Sequence, residues 1–168
     1  FDNLHHAEGI LLEAQQRAAQ TFGADESFFL VNGSTAGLLA AVCGTVKKGG
    51  RLLMARNCHK AVYHAVYLME LQTEYLYPEQ TEFGIQGSIA PEQVQRMLEQ
   101  YPDTQAILLT SPTYDGVVSD IAAIAEIVHA HQIPLIVDEA HGAHFGFSER
   151  FPKKAISYGA DLCIESVH

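Results

Sequence analysis

The chain has 168 residues, 48% hydrophobic and 18% charged, a balance that supports a packed core and excludes a disordered or solvated tail. Ten basic and twenty acidic residues leave a net charge of −10, so there is no general electrostatic footprint for nucleic acid or an anionic membrane. No apolar run approaches the roughly 18 residues of a bilayer span, and the scattered Cys43, Cys58 and Cys163 form no disulfide framework, which suits a reducing cytoplasm.

The spacing of apolar residues predicts a helix over 7–22, stopped by Gly23. A short buried strand is expected over 27–31. Asn32-Gly33 breaks it, and Ser34 and Thr35 can cap a helix over about 36–46. After the Lys47-Lys48-Gly49-Gly50 turn come a strand over 51–55, a helix over 59–71, a strand over 74–77 and a polar loop over 78–88. Pro91 suits the first turn of a helix running to about Gln100. A strand over 106–110, a helix over 121–131 and strands over 135–138 and 162–164 complete the series. Apolar strands alternating with amphipathic helices predict a three-layer α/β domain with a mostly parallel sheet and its ligand at the carboxyl ends of the strands. The last strand falls against His168, and a domain seldom ends there, so the chain reads as a piece of a longer one.

Those strand ends carry the residues able to do chemistry. They are Asn32 to Gly37, Asn57 to Lys60, Thr110 to Tyr114, Asp138 to His144, and Glu165 to His168. In a parallel sheet the five sets face one crevice, and their convergence is more specific than any one of them. Gly33-Ser34-Thr35 at a helix start can cradle a phosphate through free N–H groups and the helix dipole, although on this motif alone a plain Ser/Thr cap is the better account. Asp138-Glu139-Ala140-His141 invites a nucleotide-hydrolase reading, but no G-x-x-x-x-G-K-[ST] loop accompanies it. A metal reading on Asp138, His141 and His144, with Cys58 and His59 in reserve, lacks a standard ligand spacing. His144 fits a surface histidine. Asp138 ends an apolar run, where a carboxylate is costly unless it meets a cation. His59 sits at a strand-to-helix junction, where its ring can stack on a flat ligand. Lys153 and Lys154, in a loop containing Pro and Arg, read as solvated. A buried carboxylate, a stacking imidazole and a phosphate cradle suit a pyridine-type cofactor, though no lysine of the chain stands at a strand end to receive its aldehyde.

The strings Asp2-Asn3-Leu4-His5-His6, Phe29 to Gly37, Arg56-Asn57-Cys58-His59-Lys60, Thr110-Ser111-Pro112-Thr113-Tyr114 and Val137 to Gly146 resemble the Orn/Lys/Arg decarboxylase family over nearly the whole chain. These are fold-type I enzymes that use pyridoxal 5′-phosphate. The resemblance implies that Ser34 and Thr35 bind the cofactor phosphate and that His59 stacks on the pyridine ring. It further implies that Asp138 pairs with the ring nitrogen, that Ala140 packs on the opposite face, and that His141 lies near the cofactor hydroxyl or the substrate carboxylate. Ser166 and His168 match the family's Ser-x-His-Lys string near the phosphate, and the cofactor lysine would be the residue after His168. Ala61 stands where the family often has Ser. On this reading residues 1–168 are part of a large cofactor-binding domain, with the rest of it and a small C-terminal domain elsewhere in the parent. The implied activity is decarboxylation of arginine, lysine or ornithine to a diamine or polyamine precursor by a cytoplasmic dimer or larger assembly. A fold-type I aminotransferase or lyase, a non-catalytic α/β remnant and, more distantly, a metal hydrolase are the alternatives.

Overall fold

The computed structural model describes residues 3–167; Phe1, Asp2 and His168 lie outside the described residues. In chain order the elements are α1 (Gly9–Phe22), α2 (Gly33–Thr45), β1 (Arg51–Ala55), α3 (Lys60–Met69), β2 (Gln72–Leu76), α4 (Pro91–Gln100), β3 (Thr104–Thr110), α5 (Ile121–Ala130), β4 (Leu135–Asp138), a 3₁₀ turn (Ala155–Tyr158) and β5 (Leu162–Ile164).

The strands form one sheet in the order β2-β1-β3-β4-β5, every pair parallel. The central strands are apolar on both faces because both faces are covered. Leu52, Met54, Ala106, Leu108 and Ile136 point to the side packed by α2 and α3. Leu53, Ala55, Ile107, Leu109, Leu135 and Val137 point to the other, against α4 and α5. The period of two along each strand thus splits one apolar run into two cores, and the result is the expected three-layer sandwich. β2 is an edge strand, and its Gln72, Thr73 and Glu74 are polar accordingly.

The chain goes from β1 outward to β2, then back across β1 to β3. The strand order therefore reverses between β1 and β3, the point at which open α/β sheets generally receive a ligand at their carboxyl ends. His59 follows β1, Ser111 follows β3, and Asp138 closes β4 beside them.

Two local expectations are corrected. Residues 27–30 carry no regular secondary structure and Val31 lies in the turn before α2, so they join no ladder among the described residues, and they are not buried: Phe28 and Val31 are 69% and 82% exposed. An apolar strand is buried only when a partner covers it, and none of the described strands reaches this segment. Leu30 does meet the start of α2, where a Cβ on Gly37 would come within 2.8 Å of Leu30 Cδ1 and 3.3 Å of Ile164 Cγ2. Ser34 and Thr35 are not caps. Gly33, at φ 64°, opens α2 itself, and Asn32 is the N-cap without a side-chain cap bond. The two hydroxyl residues therefore lie inside the first turn. Similarly, His59 lies just outside its helix as the N-cap of α3.

Candidate active site

Asp138 is held by its strand. Its neighbours in register are Thr110 on β3 and Ile164 on β5, and its carbonyl accepts from Ser111 N at 3.0 Å. The side chain is buried, 4% exposed, and Oδ1 accepts from Ala140 N at 3.2 Å. Burial raises its pKa; the Ala140 amide and the nearby His59 and His141 imidazoles pull it back. Desolvation outweighs these, and among the described residues the carboxylate has no salt-bridge partner.

His59 comes from the turn after β1. Its Nδ1 accepts from Ala61 N at 3.2 Å, which assigns the ring proton to Nε2. The residue is exposed, so the cap bond fixes the imidazole while its surface stays accessible. The turn after Asp138 is tied by Gly142 N to Glu139 O and by Phe145 N to Gly142 O, both 2.8 Å. It presents His141 edge-on to the Tyr114 ring at 5.5 Å, and His144 edge-on to Phe145 and Phe151 at 4.8 Å each.

This turn walls two adjoining cavities. One, of about 450 Å³, is lined by Phe22, Ala140, His141, Ala143, His144, Phe147, Ser166 and Val167. The other, of about 480 Å³, runs from Pro112, Thr113 and Tyr114 to Phe151 and Pro152, and shares His141 and His144 with the first. The structure thus brings Ala140, His141 and Ser166 into one cavity, and sets Asp138 within the electrostatic reach of His59 and His141. Ser34 and Thr35 line neither cavity. Their turn of α2 approaches the carboxyl end of β5 through the Gly37–Ile164 contact. The role expected of His168 falls outside the described residues. His144 is exposed, as read from the sequence. No group of three His, Cys, Asp or Glu side chains converges as a metal site among the described residues.

Sequence reasoning missed one cluster here. Lys154, read as solvated, is 4% exposed and bonds Glu165 Oε1 at 2.9 Å. Glu139 beside it is 2% exposed, and burial together with the Glu165 charge pushes its pKa up to about 8. A signal existed. Glu139 and Glu165 both directly follow apolar strands, and two carboxylates at the ends of adjacent strands demand a cation or a proton. Phe22 was seen only as the end of α1, yet it lines the first cavity and meets Phe147 edge-on at 5.9 Å.

The family model for the Orn/Lys/Arg decarboxylase major domain matches residues 1–168. The chain belongs to this family. The Bacillus subtilis protein YaaO is 43% identical over the whole of this chain and 35% of its own length. An arginine decarboxylase of Halalkalibacterium halodurans is 37% identical over the whole chain and 34% of its length. Among solved structures, lysine decarboxylase A from Pseudomonas aeruginosa superposes with a TM-score of 0.80 at 27% identity, covering 96% of this chain and 24% of that one. The chain therefore spans about a third of the length of the curated relatives named here. The fold is shared, at under 25% identity, with an N-succinyldiaminopimelate aminotransferase from Mycobacterium tuberculosis and with the pyridoxal-5'-phosphate dependent protein YhfS from Escherichia coli, at TM-scores of 0.70 and 0.71. Among the described residues no helix is long and apolar enough to cross a membrane.

Proposed function

We propose that this chain is part of the cofactor-binding large domain of a longer enzyme that uses pyridoxal phosphate to decarboxylate arginine, lysine or ornithine. A cytoplasmic location and a homo-oligomeric assembly follow from the same family likeness. The observation that carries the reading is Asp138. It is a buried carboxylate at the carboxyl end of β4, it has no salt-bridge partner among the described residues, and its pKa is raised by that burial. A protonated pyridine nitrogen is the kind of partner it lacks, so the residues present fit the cofactor.

Bound there, pyridoxal phosphate supplies an electron sink whose strength depends on a protonated ring nitrogen. Asp138 would hold that proton, and its burial strengthens the interaction by lowering the local dielectric. His59, its ring fixed by Ala61 N, would stack on one ring face, with Ala140 on the other. The free N–H groups of the first turn of α2, with Ser34 and Thr35, would take the phosphate, joined by Ser166 and His168. His141 would orient the cofactor hydroxyl or the substrate carboxylate.

The test uses the full-length protein, loaded with pyridoxal phosphate, reduced with borohydride and peptide-mapped. A pyridoxyl group is expected on a lysine directly following Glu165-Ser166-Val167-His168, together with CO2 release from one of the three basic amino acids. Label on Lys154, or no release from any of the three, would overturn the reading. In the same protein Asp138→Asn should lower turnover by about a hundredfold or more, the scale of losing one preorganised electrostatic partner. Cofactor affinity should change less.

A further inference from the structure

Lys154, Glu165 and Glu139 lie behind the first cavity rather than in it. β4 and β5 run side by side with Asp138 opposite Ile164, so the next residues, Glu139 and Glu165, are also neighbours. Glu139 N donates to Ile164 O at 2.9 Å, and Glu139 Oε1 accepts from Ala155 N at 3.0 Å. Lys154 Nζ donates to Glu165 Oε1 at 2.9 Å, to Ala143 O at 3.0 Å and to Gly142 O at 3.2 Å. Its three hydrogens are all engaged, and as a bonded ammonium it has no lone pair for attack. Phe22, a wall of the cavity, lies 4.4 Å from Nζ, and Phe147, another wall, 5.7 Å.

Two atoms remain. Glu139 Oε2 and Glu165 Oε2 are both buried without a donor among the described residues. Two carboxylates facing one ammonium are short of one hydrogen, and a proton held between them supplies it. Among the described residues the other titratable group facing them is the Cys163 thiol, which burial and the two glutamates push upward, so it stays neutral.

We propose that Lys154 is a positioning residue of the cavity. Through Glu165 and the Gly142 and Ala143 carbonyls it clasps the turn bearing Ala140 and His141 against the segment bearing Ser166, while Glu139 and Glu165 share one proton. What the cavity takes rests on the pyridoxal-phosphate reading above; the clasp does not.

The experiment uses the full-length protein and compares Lys154→Met, the charge-balanced pair Lys154→Met with Glu165→Gln, and Glu165→Gln alone. The first readout is amide exchange in the cofactor-free protein at Gly142, Phe145 and Gly146, whose N–H groups close the turn. The second is the dissociation constant of pyridoxal phosphate, followed by its absorbance. Lys154→Met leaves a buried negative charge and should unfold readily. The balanced pair should recover the melting temperature. It should still exchange the turn amides about tenfold faster and bind pyridoxal phosphate about tenfold more weakly, the scale for residues that support a ligand from behind. Wild-type exchange and affinity in the balanced pair would reduce Lys154 to charge balance and overturn the proposal.

Should that pair not fold, Glu165→Gln decides. Its amide still accepts from Lys154 and donates to Glu139, so no shared proton is needed. Wild-type affinity should weaken as the pH passes about 8, where Glu139 gives up its proton, and the variant should lack that step. The same step in both refutes the clasp. A wild-type protein that binds no pyridoxal phosphate refutes the proposed function, and amide exchange then judges the clasp alone.

Discussion

Replacing Glu139 by Gln should remove a large part of the pH dependence of stability. In the unfolded chain this carboxyl titrates near its ordinary 4.5; in the fold, burial and Glu165 hold its proton to about 8. Between those values the native state binds one proton more than the unfolded state. Stability from this group is therefore complete below pH 4.5 and is lost as pH rises through 8, with a limiting slope of about 1.4 kcal/mol per pH unit. Integrated from pH 5 to pH 8, the loss is on the order of a few kcal/mol. That is a substantial share of the roughly 5–15 kcal/mol by which domains are stable. Gln keeps an oxygen for Ala155 N and offers an N–H to Glu165, so little should be lost at pH 5. Urea unfolding of the full-length protein, followed by circular dichroism across this range, should show the variant gaining on the wild type as pH rises. Asp138 shifts in the same direction but is present in both proteins, so the difference isolates Glu139. A gap between the two proteins that is the same at pH 5 and pH 8 would refute the reasoning.

Three further outcomes are expected. Leu108→Ala, at a fully buried position on the central strand β3, should cost about 2–5 kcal/mol, read as a lower urea midpoint with an unchanged slope. Gly142→Ala places a Cβ 2.5 Å from Glu139 Cγ and 2.8 Å from Pro112 Cδ, so the turn must shift. A loss of about 1–3 kcal/mol is expected, with weaker pyridoxal phosphate binding in the full-length protein. Finally, burial pushes the Cys58 thiol up to about 12, so at pH 8 a thiol reagent should modify exposed Cys43 and spare Cys58, as peptide mapping would show.

The parts of the site legible in the sequence share a cause. Asp138 stood out because a carboxylate closing an apolar run has few ordinary uses. His59 stood out because a strand-to-helix junction fixes a cap residue in space. The resemblance added roles to Ser34, Thr35, Ala140, His141, Ser166 and His168 that composition and spacing do not imply. Lys154 was illegible because its neighbours Pro152, Lys153 and Arg150 look like a solvated loop. Its burial depends on Phe22, which is 132 positions away and comes from α1.

By itself the sequence determined the order of strands and helices from β1 onward, since continuous apolar runs and helical spacing are local and each segment carries its own period. It also determined that the sheet is parallel and covered on both faces, because strands apolar throughout leave no face for water. Only the tertiary structure decided which strands are neighbours, and hence that the order reverses between β1 and β3. It alone decided that residues 27–31 form no strand and stay exposed, because a strand and its burial depend on a partner that local sequence does not name. And it alone set Glu139 beside Glu165 with Lys154 between the turn and β5, because the charge balance of a buried cluster is a property of the space its side chains share.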